Sequence, residues 1–301
     1  MKLRLAVALA ATLGMPGLAP AQEAGPPSVR DLPASTRAMA LGGAYMMDSG
    51  HADALFYHPA LIDGAGGFGL DVQRWGDGAA SAAASAAMGW YGGGVAVGLS
   101  TLQYEADLAG VQRGQDALFA QGGTAVSELI AGVGYARTLF GVRVGLAGKL
   151  VERRTGDVRG SAALVDAGVA HDVGPFTAGL TIQDVGDAPL DEDDGVDFGR
   201  VVLGVGAYGR QVGPLDVGVA GAVTYTSDET VAGAGLELGY WPIVGRTFLA
   251  RVGVQRVPEG SEASPLTLGL AYWGDDLVLE WAYRDFGDLD EGTHRFGVRW
   301  R

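Results

Sequence analysis

HRFGVRWR, residues 294–301, is the stretch whose reading decides the fold. Phe296, Val298 and Trp300 share one parity, while Arg295, Gly297, Arg299 and Arg301 share the other. Successive side chains of a β-strand point to opposite faces, so as a strand this stretch has one apolar and one cationic face. LVLEWAYR (277–284) repeats the arrangement, with Leu277, Leu279, Trp281 and Tyr283 opposing Val278, Glu280, Ala282 and Arg284. LTLGLAYW (266–273) sets Leu266, Leu268, Leu270 and Tyr272 against Thr267, Gly269 and Ala271. In VRVGLAGKLVER (142–153), Val142, Val144, Leu146 and Leu150 oppose Arg143, Gly145, Ala147 and Lys149. A period of two held this widely is a strand signal.

About fourteen such segments follow Gly66, near 67–75, 80–90, 93–104, 124–137, 139–154, 157–172, 174–184, 199–211, 214–226, 229–241, 245–257, 264–273, 275–285 and 291–300. Their links fall into two sets. WYGG, TLFG, DVGPF, VGPLD, WPIVG and WGDD are tight. Residues 105–123, ERRTGDV, GDAPLDEDDGVDF, TSDET, VPEGSEAS and DFGDLDEG are longer and mostly acidic. Membrane barrels have this asymmetry, with short periplasmic turns and longer extracellular loops. A soluble sandwich would turn polar faces outward, and a β-solenoid would need a repeat of fixed length, which the sequence lacks. Lipid cannot satisfy backbone N–H and C=O groups, so a sheet in lipid has to close on itself. The expectation is an all-β protein, a transmembrane antiparallel β-barrel of about fourteen strands. Aromatics near segment ends, among them Trp75, Trp90, Tyr104, Phe140, Tyr240, Trp273 and Trp300, are expected at the membrane interfaces. Arg143, Lys149, Arg251, Arg295 and Arg299, with Asp71, Asp166, Glu237, Glu280 and Arg284, are expected to line the lumen. Gly145, Gly233, Gly235, Gly239, Gly253, Gly269 and Gly297 share that inward parity and leave room for something inside.

Composition supports this reading. The chain holds 51 glycines in 301 residues, against a usual share of roughly 7%, without a Gly-X-Y period. It is 48% hydrophobic, yet beyond its first residues it has no uncharged apolar run of about 18, so the apolar residues are dispersed. MKLRLAVALAATLGMPGLAPAQ reads as an export signal over residues 1–21, with Lys2 and Arg4, an apolar core and an Ala19-Pro20-Ala21 cleavage site. There is no cysteine, hence neither a disulfide framework nor a lipidated cysteine. A net charge of −14 without a basic block argues against nucleic acid as a partner.

Few motifs point to chemistry. GVGAYG (204–209) matches G-x-G-x-x-G in letters, but lies in an alternating segment with no helix after it, so a nucleotide role is not expected. His51, His58, His171 and His294 show no metal-ligand spacing; His51 and His58 belong more naturally to a hydrogen-bonded network. No G-x-S-x-G elbow is present. DEDDGVD (191–197) lacks the EF-hand spacing and reads as a solvated loop. No enzyme activity, cofactor or metal is expected.

The distinctive residues lie ahead of the first strand, in RAMALGGAYMMDSGHADALFYHPALI (37–62). This stretch resembles the N-terminal plug motif of FadL-like outer-membrane barrels, especially their PorV/PorQ branch. Arg37, then ALGGAY from Ala40 to Tyr45, then Ala54, Pro59 and Ala60 match that pattern at unchanged spacing. Asp53 stands where Ser is usual, Phe56-Tyr57 replace a Tyr-Trp pair, and His58 replaces the Asn before the proline. The resemblance implies a hatch over residues 22–65, folded into the lumen of a barrel formed by residues 66–301. Arg37, Leu41, Gly42, Gly43, Tyr45, Met46, Asp48, Asp53, Phe56 and Pro59 are the residues expected to seat the hatch or line a ligand path. Arg37 should find an inward carboxylate such as Glu237 or Glu280, and Met46, Met47, Leu55 and Phe56 are the candidates for an apolar pocket. Two functions follow from the resemblance. One is passage of small hydrophobic compounds across the outer membrane. The other is a structural or secretion-associated barrel that binds exported proteins. The expected surroundings are outer-membrane lipid, a hydrophobic small molecule and secretion-system proteins.

Overall fold

The computed structural model describes residues 28–44, 50–75, 79–106, 124–187, 196–197, 199–227, 229–243, 245–257, 263–285 and 292–300. The export signal, the acidic run 191–195, and Tyr45, Met46, Met47 and Asp48 lie outside these residues. The strands are β1 (Gly67–Trp75), β2 (Ala79–Trp90), β3 (Gly93–Ala106), β4 (Thr124–Leu139), β5 (Val142–Thr155), β6 (Val158–Val173), β7 (Phe176–Asp187), β8 (Val196–Asp197), β9 (Arg200–Val212), β10 (Leu215–Tyr225), β11 (Thr230–Ile243), β12 (Arg246–Gln255), β13 (Leu266–Trp273), β14 (Leu277–Arg284) and β15 (Thr293–Trp300). Fourteen of them form one closed antiparallel ring, each beside its sequence neighbours, with β15 returning to β1. β8 is a two-residue strand pairing with the end of β7. Closure leaves the ring without a free edge, the condition a sheet must meet in hydrocarbon.

The parities fall as the alternation requires. In β15, Thr293, Arg295, Gly297 and Arg299 are buried, whereas His294, Phe296, Val298 and Trp300 are exposed. In β13 and β14, Thr267, Gly269, Ala271, Val278, Glu280 and Ala282 are buried. The outer face is a field of uncovered Leu, Val, Ile and Phe side chains, the surface of a wall that meets lipid. Tyr104 and Trp273 depart from the expected girdle. Both lie on the inward parity, Tyr104 beside buried Leu102 and Val29, and Trp273 beside His51. The side chain of Trp75 is outside the described residues.

One wall prediction follows directly. Leu279→Arg, on the lipid parity, is expected to destabilise the barrel by about 2–4 kcal/mol if it lies near the bilayer midplane. Thr247→Arg, on the inward parity beside the same Gly239 face as Asp216, should be far milder. Urea titration in micelles compares them; equal losses would contradict the assigned faces.

The turns show why the short links are short. Tyr91-Gly92 and Phe140-Gly141 have positive φ at both residues, which is the type I′ hairpin whose twist matches the strands it joins. ERRTGDV, expected among the longer links, is mostly strand: β5 runs to Thr155, β6 starts at Val158, and only Gly156 and Asp157 connect them. Alternation simply continues through it, with Arg153 inward on Glu128 and Glu152 outward on Arg159.

GVGAYG proves to be wall. Gly209 has a φ of 63°, and the β9–β10 register shifts between Val217 and Val219. A glycine at positive φ beside such a shift is a β-bulge, and here it leaves the Tyr208 ring over the inner face of Gly218.

Candidate functional site: the segment inside the barrel

Residues 28–44 and 50–66 lie in the lumen ahead of β1. A short helix, α1 (Thr36–Ala40), is followed by two 3-10 turns, Ala52–Phe56 and Pro59–Ile62. α1 starts at Ser35, whose hydroxyl accepts from the Ala38 N–H at 3.2 Å. It stops at the paired glycines. The Gly43 N–H donates to the Ala38 carbonyl (3.0 Å) and the Gly42 N–H to the Met39 carbonyl (3.2 Å), the double bond of a Schellman cap. Gly42 and Gly43 have φ of 62° and 72°. Gly42 is doubly constrained, because a Cβ there would lie 2.7 Å from the Val254 carbonyl oxygen of β12. The local meaning of LGGA is therefore a helix stop pressed against the wall.

The wall answers with glycines of its own. Pro59 sits on Gly145, His58 on Gly168, Leu41 on Gly235, Gly42 on Gly233 and Gly253, Ala40 on Gly269, and Thr36 on Gly297. Six of the seven inward glycines singled out from the sequence touch the segment; Gly239 instead faces Asp216 and Thr247. Phe56 and Leu55 fill the space over Gly98.

Charge ties the middle of the segment to the wall. Arg37, 1% exposed, donates from Nη2 to Glu237 (3.0 Å). Glu237 accepts from Arg251 Nε (2.6 Å), Arg251 Nη1 donates to Glu280 (2.6 Å), and Glu280 accepts from Arg299 Nε (2.7 Å). Arg299 then faces Asp71 at 3.4 Å and Asp53 of the segment at 3.6 Å. Asp71 closes the path on α1, accepting from the Thr36 N–H (2.6 Å) and hydroxyl (2.7 Å). The chain of charges thus begins and ends on the segment and crosses β11, β12, β14, β15 and β1. Arg295 joins it from β15, donating to Gln73 (2.9 Å) and to the Ala34 carbonyl (2.9 Å). Four guanidiniums, from Arg37, Arg251, Arg295 and Arg299, meet four carboxylates, from Asp53, Asp71, Glu237 and Glu280. Such a buried set is tolerable only when complete, because removing one member leaves an uncompensated charge. The Arg37 guanidinium also lies 4.8 Å from the Tyr208 ring centroid and 6.0 Å from that of Trp273.

Both ends are fixed as well. Toward the longer loops, Glu128 accepts from the Ser28 hydroxyl (3.0 Å) and the Val29 N–H (2.6 Å), and Asp31 pairs with Arg200 at 3.2 Å. Toward the tight turns, Asp63 accepts from Thr138. In between, Gln183 donates to the Phe56 and Tyr57 carbonyls, and Thr267 to the Ala40 carbonyl (3.1 Å). Gln183 can do so because β7 is bulged next to it. Asp184 has a φ of 58°, so Gln183 and Asp184 are consecutive and both buried. Asp184 accepts from Lys149 (3.0 Å), which also pairs with Asp166 (2.6 Å).

Each expected site residue in the described range lies on this inner surface: Arg37, Leu41, Gly42, Gly43, Asp53, Phe56 and Pro59. Sequence reading passed over Tyr57, Gln183 and Thr36, and placed His58 only in a hydrogen-bonded network with His51. Tyr57 accepts from the Ser35 N–H (2.7 Å), and burial raises the pKa of its phenol, which therefore stays protonated. His51 meets Arg37 at 3.0 Å, while His58 is fully buried against Gly168, so the two imidazoles part company.

His58 belongs to the segment, not to a wall strand, and burial pushes its pKa from 6.5 down to about 4, with Arg143 adding to the shift. Between those values the displaced chain binds the proton more readily than the seated one. Stability is therefore full above pH 6.5 and falls as the pH drops toward 4, by up to about 3 kcal/mol. The expected result is that acid loosens the wild type more than His58→Gln, read as the midpoint of thermal unfolding against pH; parallel profiles would refute this role.

The arrangement defines a class: a transmembrane β-barrel whose lumen is filled by its own N-terminal segment. The fold is FadL-like. It is similar to the Pseudomonas putida toluene transporter TodX, with 12% identity and a TM-score of 0.56 over 87% of this chain and 95% of that one. The Ralstonia pickettii toluene transporter TbuX gives 11% identity and 0.56 over 88% and 97%. A Pseudomonas aeruginosa FadL homologue gives 9% and 0.53 over 89% and 98%. No family model and no curated protein sequence matches this chain.

Proposed function

We propose that this protein resides in the outer membrane and passes small hydrophobic compounds through its barrel, with residues 28–66 as the hatch. The observation that carries the reading is the chemistry of the wall beneath the segment. Around Leu55, Leu61 and Ile62 the wall presents Ala96, Ala136, Ala147 and Ala170, and around Val29 it presents Leu102, Ile130, Val151, Ala162 and Leu164. These wall residues form an aliphatic strip on β3–β6, whereas the charged set that holds Arg37 belongs to β11–β15 and β1. A segment displaced from that strip uncovers a path for apolar cargo. The FadL-like fold, shared with proteins described as toluene transporters, supports the same choice.

The alternative is a closed barrel of the PorV type that serves secretion. The close approach of the segment's backbone to Gly145, Gly233 and Gly253 of the wall favours it. Uptake of radiolabelled toluene by cells lacking their own FadL-like transporters separates the two. Faster uptake on expression of this chain is expected. Unchanged uptake, with exported proteins co-purifying on the barrel, would overturn the transport reading in favour of the other.

A further inference from the structure

A groove of about 680 Å³ runs along the outer face of β4–β7. It exists because one outward position there is small. Along a single row of paired residues, Tyr135 stands opposite Leu146, Leu146 opposite Ala167, and Ala167 opposite Ile182. Ala167 is thus a floor between two tall aliphatic walls, and the facing glycines Gly145 and Gly168 keep the wall itself thin beside it. Toward the tight turns the next row brings Arg137 and Leu180 to the rim. The lining is apolar except at that rim, where Arg137 is exposed and has no ion-pair partner among the described residues. The other outward arginines at the tight-turn end finish on the protein itself, Arg210 on the Pro175 carbonyl and Arg246 on the Tyr272 hydroxyl.

We propose that this groove is a binding site for one anionic phospholipid, its acyl chain over Ala167 and its phosphate on Arg137. The inference rests on the membrane placement argued above and is independent of what crosses the lumen. The groove opens on the face turned to hydrocarbon, so its apolar length fits an acyl chain. Arg137 lies close to the Phe140-Gly141 turn, at the level where long cationic side chains reach headgroups. An uncompensated cation beside an apolar trough selects a negatively charged headgroup over a zwitterionic one.

The test is native mass spectrometry of the barrel released from nanodiscs holding equal phosphatidylglycerol and phosphatidylcholine. Wild type is expected to retain a single phosphatidylglycerol. Arg137→Gln should lower the preference for it about fivefold, the factor that roughly 1 kcal/mol per surface cation represents. Ala167→Leu, which raises the groove floor without adding polarity, should lose retained lipid of both kinds. Heat-modifiable electrophoretic migration confirms that each variant is a folded barrel. Equal retention in all three folded proteins would overturn the site. A lipid-free dimer would overturn it too, assigning the groove to a second copy of the chain. A protein that stayed in solution without detergent would end the membrane reading and this site with it.

Discussion

Gly145→Val and Gly253→Val, each alone, are expected to convert a closed barrel into one that carries steady ionic current. A Cβ at Gly145 falls on the Pro59 carbonyl carbon and oxygen, and one at Gly253 falls on the Gly42 nitrogen and Leu41 carbonyl carbon. These are backbone atoms, which cannot rotate away as a flexible side chain can. The wall is held by ladders on both sides of each position, Gly145 between Ala136 and Gly168, and Gly253 between Gly235 and Thr267. The segment has no such ladder, so it is the partner that yields. Valine suits a strand, so the wall itself should assemble. Gly148→Val is the control: it faces outward from the same strand, with nothing within 4 Å of its Cβ. It should remain closed. Closed records from both inward variants, with folded barrels, would show that the close approach does not decide the seating.

Arg37→Ala should release the segment by another route. The guanidinium is buried, paired with Glu237 and set between the Tyr208 and Trp273 rings, so truncation leaves Glu237 with Arg251 alone. Removing one partner of a buried pair typically costs 3–5 kcal/mol. A loss of about that size in seating is expected, read as faster proteolysis within the segment and as flickering current. Glu237→Gln combined with Arg37→Ala should be milder than the sum of the two single changes, since the stranded carboxylate is gone. Strict additivity would mean that the two side chains do not act on one another.

The wall was legible because lipid and lumen are chemically unlike. Phe296 and Arg295 cannot exchange faces, so a two-residue period marks both the strand and its orientation. LGGA was marked in the sequence only through its resemblance; that its paired glycines stop a helix against the wall shows in the structure alone. Partners inside the lumen were less legible. Arg37 meeting Glu237 rather than Glu280 depends on which strands the segment crosses and on the register of β11 against β12, neither of which leaves a mark in local sequence. Trp273 and Tyr104 misled because an aromatic near a strand end satisfies the interface rule on either parity, and only the parity of the whole strand decides. Asp184 was hidden altogether. Its bulge breaks the alternation by a single residue, which in an acidic stretch resembles the approach to a loop.

The central claim is that the segment, and not the wall, closes the barrel. Single-channel recording in planar bilayers tests it most directly, comparing the intact protein with a variant lacking residues 28–62. The wall closes its own backbone hydrogen bonds, so the shortened chain should still form a barrel. The account predicts no steady current from the intact protein and large, steady current from the shortened one. Steady current from the intact protein, or a folded shortened barrel that stays closed, would contradict it.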